Sequence, residues 1–169
     1  EQLYAAVRCG TNAVYLGAGD FNARRNAENF DNTTLKEAID YCHLRGVKVY
    51  VTLNTLIFDK ELSDLYECVK SVAKCGADAV IVQDFAVLKA VKDICPEMPV
   101  HASTQMAVHN ISGAEFLENL GFSRIVLARE LSLTEIKMIR EKVNTELEVF
   151  VHGAHCMSTS GNCYLSAML

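Results

Sequence analysis

Near the end of the sequence Cys156 and Cys163 flank six residues that include Ser158, Ser160 and Gly161, a composition able to curl so that both sulfurs face one point. Thiolates are the preferred ligands of iron–sulfur clusters, which normally take four of them. On spacing alone a zinc site, a redox pair and two unrelated core thiols compete with that reading. His152 and His155 bracket Gly153 and Ala154 just before Cys156, where imidazoles can tune a metal, bind a carboxylate or move a proton.

Further reactive types recur along the chain as Asn54, Gln83-Asp84, Ser103-Thr104-Gln105 and Arg129-Glu130. Arg129 has the fork to clamp a carboxylate, and Glu130 is either its salt-bridge partner or an acid–base group. His101 and His109 read as hydrogen-bonded structural residues. The stretch from Gly17 to Thr33 carries Asp20, Asn22, Arg24, Arg25, Asn26 and Asn29, and connections longer than ~12–15 residues are usually functional or disordered. Phe21 and Phe30 are placed to anchor it. The other five cysteines (Cys9, Cys42, Cys68, Cys75 and Cys95) adjoin C-cap glycines, helical apolar stripes or Pro96, and read as small buried hydrophobes. The sequence contains neither H-E-x-x-H nor G-x-S-x-G, the common zinc-hydrolase and serine-hydrolase signals.

The elements that must position these groups follow a repeating pattern of amphipathic helix, glycine and short β-branched run. Gly10 precedes a strand at Ala13–Leu16, Gly46 one at Val47–Leu53, Gly76 one at Ala79–Val82 and Gly121 one at Ile125–Ala128. Val100–Ser103 and Leu147–Val151 complete a set of six. A helix is expected over Glu1–Arg8, and capping boxes are expected at Thr34 with Glu37, Ser112 with Glu115 and Ser132 with Glu135. Strict alternation means parallel strands with crossover helices, in an open doubly wound sheet or a closed barrel. No strand is followed by G-x-G-x-x-G, which weakens the dinucleotide-binding form. The polar residues at five strand ends favour a parallel β/α (TIM-like) barrel, whose active site forms at the C-terminal ends of its strands.

Composition bounds the remaining classes. The 169 residues are 50% hydrophobic with two prolines, enough for one continuous core, and no apolar run approaches the ~20 residues that cross a bilayer. A soluble, cytoplasmic protein with no membrane partner is expected. Sixteen basic against 21 acidic side chains leave a net charge of −5, which argues against a broad nucleic-acid footprint while allowing local basic contacts. Seven cysteines, an odd number, lack the spacing of a secreted disulfide framework. Starting within a helix and ending soon after a motif, the sequence reads as an excerpt. Unpaired strand edges in such a piece predict homo- or hetero-oligomers.

The stretch from Glu148 through Phe150, Gly153-Ala154, Cys156, Gly161 and Cys163 to Ser166 resembles the signature of the collagenase-like peptidase family, family U32. The segments Phe21–Arg24, Val51–Leu56, Ile81–Asp84, His101–Met106 and Leu127–Ser132 are similar to the same family in the same order. The resemblance implies most of one β/α barrel domain over residues 1–169, lacking the first strand and a C-terminal remainder, and a 4Fe-4S cluster with Cys156 and Cys163 as two of four ligands. It further implies hydroxylation of a pyrimidine in tRNA or rRNA with prephenate as hydroxyl donor. Peptidase activity is the alternative, and an accessory role in oxygen-independent ubiquinone hydroxylation is a third. Under the enzymatic reading, Arg129, Glu130 and His152 are the candidate catalytic groups. Asn22, Arg24, Asn54, Gln83, Asp84, Thr104 and Gln105 are the candidate substrate-binding groups.

Overall fold

The computed structural model describes residues 1–23, 30–153 and 157–162. Six parallel strands follow one another in sequence order: β1 (Ala13–Gly17), β2 (Lys48–Leu53), β3 (Ala79–Val82), β4 (Val100–Ala102), β5 (Arg124–Val126) and β6 (Glu146–Glu148). The order never reverses, so the doubly wound alternative is excluded. Six helices alternate with them: α1 (Gln2–Arg8), α2 (Asn32–His43), α3 (Leu62–Cys75), α4 (Phe85–Ile94), α5 (Ile111–Asn119) and α6 (Leu133–Arg140). The chain divides into two compact units, Glu1–Pro99 and Val100–Leu169. No described helix is long and apolar enough to cross a membrane.

In the first unit β1 pairs with β2 and β2 with β3, placing Leu16 beside Val51 and Val51 beside Val80. Alternation along β2 sends Val49, Val51 and Leu53 to one face, and all three are fully buried. The apolar stripes of α2 (Leu35, Ile39) and α3 (Leu65, Val69, Val72) are buried with them. The opposite face of the sheet holds a smaller cluster of Tyr50, Ala79 and Ile81 with Ala13 packed against it. Burial on both faces is what a parallel sheet requires, and it explains why β3 reads as an unbroken apolar run. Gly76 closes α3 at φ 89°, a left-handed cap that a side chain would strain.

The second unit repeats the scheme on β4, β5 and β6, with Ile125 and Leu127 buried in its core. Here β6 stops at Glu148, short of the expected Val151. The last ladder bond is donated by Leu127 N to Glu148 O at 2.9 Å, after which Ala128 N turns to Val108 O at 3.1 Å. Val149, Phe150 and Val151 therefore have no neighbouring β5 backbone to pair with and lie exposed.

Two of the three expected caps also move. Asp31 caps α2, its Oδ1 accepting from Thr34 N at 2.8 Å, and Asn110 caps α5, accepting from Gly113 N at 2.8 Å. Asn and Asp match Ser and exceed Thr as caps, and here they stand a few residues before the hydroxyls. The third cap, Ser132 with Glu135, forms as a reciprocal capping box.

Candidate functional site

Because strands within each unit are parallel, the residues following them gather at one end of that unit. In the first unit these are Asn54 after β2 and Gln83-Asp84 after β3. Their side chains hold loops. Asn54 Oδ1 accepts from Ala23 N at 3.1 Å, fixing the start of the connection after β1. Asn22 is buried in that connection and donates to Gly19 O at 2.8 Å. At the far end of that connection a backbone bridge joins Phe30 to Ala18. Asp84 caps α4 through Ala86 N at 2.8 Å and receives Ile57 N at 3.0 Å, so both oxygens are engaged by backbone. Gln83 is half-buried beside it. Arg24 lies outside the described residues.

The second unit holds the denser arrangement. A 3-10 turn at Thr104–Met106 follows β4, with Thr104 Oγ1 donating to Leu127 O at 3.4 Å. After β5, Arg129 and Glu130 reach the Ser158–Asn162 turn. Arg129 Nη2 donates to Ser158 O at 2.8 Å. Glu130 accepts from Ser160 N on one carboxylate oxygen and from Ser160 Oγ on the other, both at 2.6 Å. Asn162 Nδ2 donates to Gln105 O at 3.4 Å. The turn is thus held from the ends of both β4 and β5.

Arg129 and Glu130 do not pair with each other. The imidazole neighbour of Glu130 is His109, whose Nε2 lies 3.4 Å from the carboxylate. His109 Nδ1 donates to Ala107 O at 2.6 Å. The Ser160 hydroxyl and amide, aided by His109, hold the Glu130 carboxyl down at about 2. A carboxyl ionised throughout the neutral range is a weak proton donor, so the geometry makes Glu130 an acceptor that grips a loop. The Arg129 Nε–H is buried without a hydrogen-bond partner among the described residues, leaving part of its fork uncommitted.

Backbone strain gathers at the same place. Among the described residues only Ala107 (φ 54°) and Ser160 (φ 49°) are non-glycine residues in the left-handed region. Ala107 presents its carbonyl to His109, and Ser160 is fully buried against Glu130. Non-glycine residues in this region cost of order 1 kcal/mol and persist where the surroundings impose them. Sequence reasoning noted Ser160 only as part of a turn-forming segment and treated His109 as structural. The available signal was the position of Ser160, midway between the paired cysteines.

His152 is exposed, four residues beyond β6. Cys156, Cys163 and His155 lie outside the described residues. Of the remaining thiols, Cys42 and Cys75 are buried as expected, whereas Cys9 is exposed and Cys68 and Cys95 are intermediate. Burial raises the Cys68 thiol to about 11, which suits an inert packing residue.

Comparison with known proteins bears on the family and the fold. A 23S rRNA 5-hydroxycytidine synthase of Escherichia coli is 41% identical over 95% of this chain, which covers 24% of that protein. A tRNA hydroxylation protein P of Helicobacter pylori is 41% identical over 99% of this chain and 40% of its own length. A collagenase of Porphyromonas gingivalis is 34% identical over 98% of this chain and 42% of its own length. The chain therefore spans less than half of each of these relatives. A solved U32 peptidase superposes with a TM-score of 0.69 at 19% identity, covering 83% of this chain and 60% of its own, a likeness that shows the fold to be part of a parallel β/α barrel. The model of peptidase family U32 matches residues 1–169 throughout, and the chain belongs to that family.

Proposed function

We propose that the protein is part of an enzyme that hydroxylates a pyrimidine base in tRNA or rRNA without molecular oxygen, taking the hydroxyl group from a prephenate-like carboxylate in the cytoplasm. Residues 1–169 form most of one β/α barrel domain in this reading. The observation that carries it is the level of identity, extending along nearly the whole chain, to relatives named for RNA hydroxylation.

The donor set fits a 4Fe-4S cluster. Cys156 and Cys163 are two soft thiolates on either side of a turn that is hydrogen-bonded to strand ends, and two is half of the set such a cluster takes. Among the described residues no group of three His, Cys, Asp or Glu side chains is arranged to hold a metal. When bound, the cluster would supply redox or Lewis-acid chemistry. The chain's own residues have separate tasks. Arg129 places a cation beside the turn, suited to a donor carboxylate, and His152 is an exposed imidazole on the segment leading to Cys156. Asn22, Asn54, Gln83 and Asp84 on the strand-end loops of the first unit, and Thr104 and Gln105 on those of the second, would contact substrate, with Arg24 as a further candidate. The net charge of −5 means that phosphate contacts must come from a local basic surface or from the rest of the longer protein.

Peptide hydrolysis is the second reading, favoured by the identity to a collagenase. Nucleoside mass spectrometry decides between them, on RNA from cells carrying the full-length gene, its deletion or Cys156→Ser. Loss of one hydroxylated pyrimidine in the deletion and in Cys156→Ser is the expected result. Normal hydroxylation in the deletion, with an uncut peptide accumulating, would return the protein to the peptidases.

A further inference from the structure

We infer that Glu130 and Arg129 are positioning residues that hold the Ser158–Asn162 turn and thereby set how Cys156 and Cys163 are presented. This inference rests on the thiolate-ligand reading above and adds to it the device that orders the ligands. Ser158 is two residues from Cys156, and Asn162 is the immediate neighbour of Cys163. Successive Cα atoms are ~3.8 Å apart, and the anchored residues Ser158 and Asn162 stand within two positions of Cys156 and Cys163 in the sequence.

Four features give the anchor its precision. The Glu130 carboxylate takes the amide and the hydroxyl of one residue, Ser160, on separate oxygens, which defines position and orientation together. Arg129 fixes the preceding carbonyl at Ser158 from the adjacent position in the sequence. His109 stands behind Glu130, itself oriented by Ala107 O. The two left-handed non-glycine residues, Ala107 and Ser160, lie at the two ends of this chain of contacts. A surface turn with no task beyond connection would not require two such conformations joined by a carboxylate and an imidazole.

Glutamine is isosteric with glutamate and can still meet Ser160: its Oε1 accepts from the amide while its NH2 donates to the hydroxyl oxygen, turned to accept. Positioning therefore predicts an order of variants opposite to proton transfer. In the full-length protein, purified without oxygen, Glu130→Gln should keep most of its iron and its visible and EPR spectra. Glu130→Ala and Arg129→Ala should lose at least half of the iron or show an altered EPR signal, at a thermal midpoint close to that of the parent. If Glu130→Ala does not fold, Glu130→Asp replaces it: one methylene too short to bridge both Ser160 donors, it should fall below Gln in iron despite keeping the charge. Parental iron and spectra in Glu130→Ala and Arg129→Ala, with Cys156→Ser stripped of iron, would overturn the positioning role and leave the ligand assignment standing. Parental iron in Cys156→Ser would overturn both.

Discussion

The two ends of β5 each carry an arginine and use it in opposite ways. At the start of the strand Arg124 donates from Nε and Nη2 to Glu146 at 2.9 and 2.6 Å, and from Nη1 to Glu148 at 3.1 Å. One cation lies between two carboxylates of β6, which ties neighbouring strands in register. Beyond the far end Arg129 and Glu130 ignore each other, and each spends its charge on the backbone of the same turn. Opposite charges satisfied by one another make architecture. Charges turned onto the backbone of a loop fix the course of that loop.

Removing the Arg124 group should have the larger effect on stability. Arg124→Ala leaves Glu146 and Glu148 without their shared cation and strips the aliphatic stem from a side chain only 22% exposed. The carboxylates are themselves partly solvated, at 68% and 38%, so the loss should be about 1–2 kcal/mol, well short of a fully buried pair. Urea denaturation measures it. An unchanged midpoint would mean that the β5–β6 ladder alone holds the edge strand.

The Arg129–Glu130 group should reveal itself through pH. The folded Glu130 carboxyl is depressed from 4.5 to about 2, so its contribution to stability is fully present above the unfolded value and is lost as pH falls through the folded one. Between pH 4.5 and about 2 the parent should therefore lose stability faster than Glu130→Gln, and the two curves should run parallel above pH 5. Because the carboxylate is 40% exposed, the divergence should be modest. Acid titration of both proteins, followed by circular dichroism, reads it. Parallel curves at all pH values would place the Glu130–Ser160 contact outside the solution structure.

Much of this frame was legible in residue order. The alternation of helix, glycine and β-branched run located four strands and β-branched composition the other two, since a parallel sheet buried on both faces needs apolar runs such as Ala79–Val82 that few other structures tolerate. The ends were less legible. Val149–Val151 has the composition of a strand, but pairing depends on where its neighbour turns away, and that is a property of Ala128 and Val108. Asp31 and Asn110 captured helix starts that Thr34 and Ser112 also advertised. At the site, Arg129 and Glu130 stood out by type and by place. Their partner did not, because Ser160 lies thirty positions from Glu130 and a buried left-handed serine leaves no mark in composition, least of all beside a glycine.

That serine offers the finest test of the comparison, since it separates strain from contact at one position. Ser160→Ala removes the hydroxyl bond to Glu130 while keeping a Cβ in the left-handed conformation, and should cost about 1 kcal/mol. Ser160→Gly removes the same bond but also relieves the conformation, which recovers about 1 kcal/mol and should leave stability close to the parent. The amide bond from residue 160 to Glu130 survives in both, so the turn keeps one of its two anchors at that residue. Urea midpoints should therefore rank the parent and Ser160→Gly together, with Ser160→Ala below. If the two variants fall together by the same amount, residue 160 is not held left-handed in solution. If neither moves, the hydroxyl bond contributes nothing measurable, and only the amide can transmit the position of Glu130 to the turn.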